Sequence, residues 1–245
     1  MTNKYMYFIA NWKMFGELKS LNSLHKVIKF LKNFKKNKSI KIIYCPPSTL
    51  IRPMSKKLLN SKIEVGAQNC HEHENFGAFT GFVNSKMLKS VGAKYIIIGH
   101  SENRQSGESN KLINLKIKSA LKSGLKVIFC VGETLKEKRK KITKQVLKKQ
   151  IDLGLHKIKN KNNIILAYEP VWSIGTGLIP KNNELTDTIN FLKKKLKKNK
   201  ILYGGSVNPK NIEQLKSINN LDGFLIGGAS QDSKKFIDII KKTYN

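Results

Sequence analysis

A carboxylate, an imidazole and an ammonium group stand where apolar runs of this chain give way to polar turns. Glu169, in the stretch AYEPVWSIGTG, closes one such run and precedes a proline. A carboxyl group shut away from water has a raised pKa and is suited to act as a general base. On the surface the same residue would only pair with a lysine. His100, in IIIGHSENR, is followed by Ser101 and Glu102, which resemble the start of a helix. The positive end of a helix disfavours imidazolium, so a histidine there stays neutral and donates a hydrogen bond to a carbonyl. A capping or core histidine is the alternative. Lys13 follows the first apolar run between Trp12 and Met14. It offers a point charge to an anionic substrate.

Three further stretches complete the set. Gly204-Gly205-Ser206 and Gly227-Gly228 end the last two apolar runs. Glycines let backbone N–H groups come close to a phosphate, although two tight turns would read the same. Pro170 to Gly177 has the make-up of a hinged lid. In Cys70-His71-Glu72-His73-Glu74 alternate residues of an extended segment share a side, so His71 and His73 could meet one metal. A distant third ligand is missing, and a solvated loop or interface segment fits the cluster better. Cys130, inside an apolar run, reads as inert packing. No Walker sequence or complete dinucleotide fingerprint is present, which disfavours nucleotide binding.

Positioning these residues requires a scaffold with many strand ends on one side. β-Branched apolar runs recur near Tyr5–Ala10, Ile40–Tyr44, Ile63–Ala67, Tyr95–Ile98, Leu125–Val131, Ile164–Tyr168, Ile201–Tyr203 and Gly223–Ile226. They are continuous rather than alternating, as parallel strands covered on both faces are. Amphipathic stretches lie between them. Leu18, Leu21, Leu24, Val27, Ile28, Leu31 and Phe34 predict a first helix. Leu185, Ile189, Leu192 and Leu196 predict a later one, with Lys193 and its neighbours on solvated faces. Eight alternations without a linker predict an α/β fold, a single (β/α)8 barrel domain over 1–245. A doubly wound open sheet is the second choice, but the glycine-rich turn after the first strand is absent.

The chain has 245 residues, 47 Lys+Arg against 16 Asp+Glu, and a formal net charge of +31. Only Arg52, Arg104 and Arg139 are arginine. Base and phosphate readers favour the planar arginine fork, so the lysine excess points away from a specific nucleic-acid partner. An association with nucleic acid or anionic membranes through charge alone is the rival to an enzyme. No run approaches the roughly 18 apolar residues a membrane helix needs. The Tyr5–Ala10 run is short and Asn11 and Lys13 follow it, so it fits a strand better than a signal peptide. Three cysteines without paired short spacing suit a reducing cytoplasm rather than a disulfide framework.

Taken together, NWKM (11–14), GAFTG (77–81), IIGHSE (97–102), CVGET (130–134), AYEPVWSIGTG (167–177), YGGSV (203–207) and IGGAS (226–230) resemble the triosephosphate isomerase family. The motifs come in the family's order and span nearly the whole chain. The resemblance implies a cytoplasmic homodimer that interconverts dihydroxyacetone phosphate and glyceraldehyde 3-phosphate, with no cofactor and no metal. It makes Glu169 the base, His100 the polarising group and Lys13 the substrate-binding cation, with Asn11 beside it. Glu102 corresponds to the carboxylate near Lys13 and His100. Gly175, Ser206, Gly227 and Gly228 correspond to the phosphate-gripping positions, and Tyr203 to the tyrosine that holds the closed lid.

Four departures stand out. Phe82 occupies a position where many members carry Glu, and Asn103 one where many carry Arg. In those members the two residues pair across the dimer interface. Losing both avoids leaving a single buried charge. Leu178 stands where a lysine is common at the far lid hinge, and the turn after Arg104 is about one residue short. Thr80 matches the loop residue that reaches toward the neighbour's Asn11 and Lys13.

Overall fold

The computed structural model describes residues 5–36 and 39–245. Eight strands follow one another in the order of the chain: β1 (Met6–Asn11), β2 (Ile40–Cys45), β3 (Glu64–Ala67), β4 (Tyr95–Ile98), β5 (Lys126–Val131), β6 (Ile164–Tyr168), β7 (Lys200–Tyr203) and β8 (Gly223–Ile226). Every neighbouring pair is parallel. β1 also pairs with β8, from Tyr7 opposite Gly223 to Ala10 opposite Ile226, so the sheet closes into a barrel. The predicted strands agree with the observed ones to within one residue at each end.

Successive side chains of a strand point to opposite faces, and both faces here are apolar. Ile9, Ile43, Ile97, Ile128, Ile165, Leu202 and Leu225 pack inside the barrel. Phe8, Ile42, Ile96, Phe129, Leu166, Ile201 and Phe224 point outward and pack beneath the helices. Double burial explains why the strands read as unbroken apolar runs.

The helices are α1 (Leu24–Asn33), α2 (Ser48–Leu58), α3 (Ser85–Ser90), α4 (Ser101–Gln105), α5 (Asn110–Lys122), α6 (Leu135–Arg139), α7 (Thr143–Gly154), α8 (Asn182–Lys195), α9 (Ile212–Lys216) and α10 (Ser233–Tyr244). Leu185, Ile189 and Leu192 face the core along α8, as their spacing predicts. Two helical expectations need correction. The first helix begins only at Leu24; Leu18–Ser23 is a separate 3-10 turn, with Leu18 exposed. Polar side chains compete with the helical ladder there. Ser20 Oγ accepts from the Glu17 amide at 3.1 Å, and Ser23 Oγ donates to the Ser20 carbonyl at 2.8 Å. Lys193 is not a merely solvated lysine, because its Nζ lies 2.5 Å from Asp222 Oδ2, next to the start of β8.

No helix among the described residues is long and apolar enough to cross a membrane. All three cysteines are buried and free.

Candidate active site

The carboxyl ends of the strands gather the chemistry into one cavity of about 210 Å³. Asn11 and Lys13 come from the end of β1, His100 from β4, Glu169 from β6, Ser206 from β7, and Gly227 and Gly228 from β8; Gly175 approaches from the lid. Glu102 is the one candidate that does not line the cavity. It stands half-exposed on α4 and accepts from Lys13 Nζ at 2.5 Å.

Glu169 is buried. Burial pushes its carboxyl pKa up. The nearby His100 ring, a hydrogen bond from the Cys130 thiol, the Ser101 amide and the Lys13 charge offset this only in part. Its Oε2 has no hydrogen-bond partner. A buried, unpartnered carboxylate oxygen has a strong drive to accept a proton. The close packing depends on two glycines. A Cβ on Gly132 would lie 1.7 Å from the Glu169 carbonyl oxygen, and one on Gly204 would lie 2.8 Å from Glu169 Cγ.

His100 is both a cap and a site residue, so the two sequence readings coincide. Its Nδ1 accepts from the Glu102 amide, at 3.2 Å, at the head of α4. An accepting Nδ1 carries no proton, which leaves the neutral ring with its proton on Nε2. That nitrogen lies 3.4 Å from Glu169 Oε1.

Lys13 has a φ of +54°, a region that residues other than glycine rarely occupy. Its neighbours hold it there. The Asn11 side chain accepts from the Lys13 amide at 3.0 Å, and Gln68 Nε2 donates to the Lys13 carbonyl at 2.8 Å. Gln68 also donates to the Cys45 carbonyl, which ties the turn to β2. Strained backbone that persists under such restraint is typical of functional positions.

The lid is anchored at its base. Ser173 Oγ lies 2.9 Å from the Tyr203 hydroxyl, donates to the Leu178 carbonyl at 2.5 Å and accepts from the Ser206 amide at 3.2 Å. The Ser206 amide is thus engaged with the lid, and its hydroxyl is the donor left for a ligand. Trp172 Nε1 donates to Glu133 Oε1 at 2.9 Å, and the Tyr168 hydroxyl bonds the same carboxylate. Gly175 has a φ of +73°, and a side chain there would meet open space.

Sequence reasoning missed three supports. Gln68 stands among the strand-end residues but carries no motif of its own. Gly132 lies inside CVGET, yet only the fold brings it against Glu169. Cys130 was expected to be packing alone. Burial does hold its thiol well above the ordinary range, so it is no nucleophile, but it bonds the Glu169 carboxylate. His71 and His73 stack on each other and on Phe79. Among the described residues no group of three or more His, Cys, Asp or Glu is arranged to hold a metal ion.

A proton-accepting carboxylate, a neutral imidazole donor, a restrained ammonium group and glycine-rich turns around a small cavity suit proton transfer on a small phosphorylated carbonyl compound. The profile of the family described as triosephosphate isomerase matches residues 6–243. The triosephosphate isomerase of Thermodesulfovibrio yellowstonii is 40% identical over 244 residues, covering 96% of this chain and 98% of that one. That of Wolbachia pipientis wMel is 41% identical over 234 residues, covering 96% and 92%. The crystal structure of triosephosphate isomerase from Bartonella henselae superposes with a TM-score of 0.88 at 33% identity, covering 98% of this chain and 100% of that one.

Proposed function

The chain belongs to the triosephosphate isomerase family, and from that membership we propose how its residues share the interconversion of dihydroxyacetone phosphate and glyceraldehyde 3-phosphate. Glu169 removes a proton from one substrate carbon and returns it to the next, through an enediolate. His100 donates from Nε2 to the substrate oxygens as a neutral imidazole. This split between carboxylate base and neutral imidazole is the family's own and is taken from it. Lys13 offsets the developing negative charge, held in place by Asn11, Gln68 and Glu102. The phosphate rests among Gly175, Gly227 and Gly228, where backbone amides can come close, and Ser206, which offers its hydroxyl. Closure of the 170–177 lid keeps water from an intermediate that would otherwise lose phosphate.

The observation that carries this reading is the buried Glu169, with an unpartnered oxygen, 3.4 Å from the donor nitrogen of His100. A coupled isomerisation assay without added metal tests it. Glu169→Asp withdraws the carboxylate by about 1 Å and lowers kcat by about 100-fold or more. Near-normal turnover in that variant overturns the assignment.

The enzyme works as a homodimer in the cytoplasm. Phe76, Phe79 and Phe82 are exposed on one loop, and Met14, Phe15 and Leu18 on another, which supports a second copy covering them. Phe82 then makes an apolar contact in place of an ion pair, and Thr80 approaches the neighbour's Lys13. A strictly monomeric, fully active protein in sedimentation and kinetic assays contradicts this arrangement.

A further inference from the structure

The lysines of this surface are not used alike. Around α7 and α8 they are answered by carboxylates: Lys144 meets Asp187 at 2.6 Å, while Lys148 and Lys195 meet Asp152 at 3.0 and 2.5 Å. Along α1 and α10 they are not. α1 contains no acidic residue, and the single acid within α10, Asp238, faces Lys242 at 3.7 Å. Lys26, Lys29, Lys32, Lys234, Lys235 and Lys241 are exposed, and among the described residues none of the six ammonium groups forms an ion pair; the Asp232 carboxylate at the head of α10 accepts only from the Lys234 and Lys235 backbone amides.

The two helices that carry these lysines pack side by side. Lys241 Nζ lies 5.9 Å from the Phe30 ring centroid, and the Phe34 and Tyr244 rings are also 5.9 Å apart. The helices therefore run in the same direction. Lys26, Lys29 and Lys32 recur every third residue and share one face of α1. Like charges gathered without counter-charges repel one another, and a linear polyanion relieves that repulsion while releasing its own condensed counterions.

We infer that the α1–α10 face binds the phosphate backbone of nucleic acid without reading its sequence. Lysine ammonium groups neutralise phosphates as point charges and do not select bases, which needs the arginine fork or amide side chains. A membrane is the weaker fit, because none of the exposed large apolar side chains lies on α1 or α10 to enter a bilayer.

The test is fluorescence anisotropy with a labelled 20-base-pair DNA duplex of mixed sequence. Four phosphate contacts predict a log–log salt slope of about −3 to −4, and so about 100-fold weaker binding at 200 mM than at 50 mM salt. Combined Lys26→Glu, Lys29→Glu, Lys32→Glu and Lys241→Glu weakens binding at 50 mM salt by about tenfold or more and flattens the slope. Lys111→Glu, Lys136→Glu, Lys140→Glu and Lys149→Glu change the net charge equally at exposed positions on or just after other helices and cost about threefold or less. Matching glutamine sets, with melting temperatures measured throughout, exclude misfolding as the cause. Equal loss in both sets overturns the proposal. So does the absence of duplex binding at 50 mM salt, or tighter binding to vesicles containing phosphatidylserine than to the duplex.

Discussion

Glu64 and Glu169 are both shielded carboxylates at strand ends, one at each end of the barrel. At the amino end, Glu64 opens β3 and is flanked by the ammonium groups of Lys41 and Lys94. Burial pushes its pKa up, but the hydrogen bonds and charges of the two lysines outweigh burial and leave it below the ordinary value. At the carboxyl end, Glu169 follows β6. Burial raises its pKa, and its neighbours only partly reverse this. Glu64 is held as an anion by the two ammonium groups that flank it, and serves the fold. Glu169 is buried with no ammonium group in direct contact, which favours its protonated form and costs the fold. The same side chain thus stabilises or reacts according to whether a cation reaches it directly.

The comparison is broken or sharpened most strongly at Glu169. Glu169→Gln should lower kcat by about 10²–10⁴-fold, the usual worth of a positioned general base. It should also raise the melting temperature at neutral pH by about 2–4 °C, since it removes a buried charge. The sign follows from linkage. A raised native pKa lowers stability only as pH climbs above the ordinary glutamate value near 4.3. The gain should therefore vanish below about pH 4; a variant stabilised equally at all pH values refutes this cause.

Glu64→Gln should do the reverse. Turnover is unchanged, and stability falls by about 1 kcal/mol, the worth of a hydrogen bond to a charged group discounted for solvent screening at a partly exposed site. The native pKa of Glu64 is depressed, so its contribution is complete above the ordinary value and is lost as pH falls through the native one. Thermal melts of the two variants from pH 3 to 8 should therefore diverge with rising pH. Parallel curves would remove the contrast.

A smaller effect is expected at Gln68→Ala, which frees the Lys13 carbonyl. It should lower kcat/KM by about fivefold to tenfold, the equivalent of one hydrogen bond. If Gln68 only supports the fold, melting temperature falls and kcat/KM does not. The smallest effect is on capture of substrate. The positive surface should make kcat/KM fall about twofold to threefold as ionic strength rises through the physiological range. A flat dependence measured at fixed viscosity would show that the surface does not steer the substrate.

The elements were legible because local pattern and tertiary role coincide in them. Strands buried on both faces, such as Ile164–Tyr168, announce themselves as apolar runs. Glu169, His100 and Lys13 stand just after such runs in the sequence, and the fold brings all three to one cavity. What escaped depends on contacts between distant parts of the chain. Lys193 lies 29 residues before Asp222, and no periodicity links them. Cys130 and Glu169 meet because β5 and β6 pair in a register that brings Val131 opposite Tyr168. Gln68 became visible as a support only once the positive φ of Lys13 was known. The 3-10 turn at 18–23 was hidden because its leucines keep a helical spacing while its serines break the ladder.

The pairing of β1 with β8 has a consequence for how the molecule is made. More than 200 residues separate these two strands. At ribosomal rates of about 5–20 residues per second, β1 waits roughly 10–40 s for its last partner to be synthesised. Throughout that time an incomplete sheet presents unpaired strand edges, the surfaces most prone to join another chain. The charge is carried by the sequence and not by the finished fold, so each new stretch of lysines adds to it as it emerges. Unfinished chains repel one another before any ring has closed, and the interval most exposed to aggregation is already electrostatically guarded.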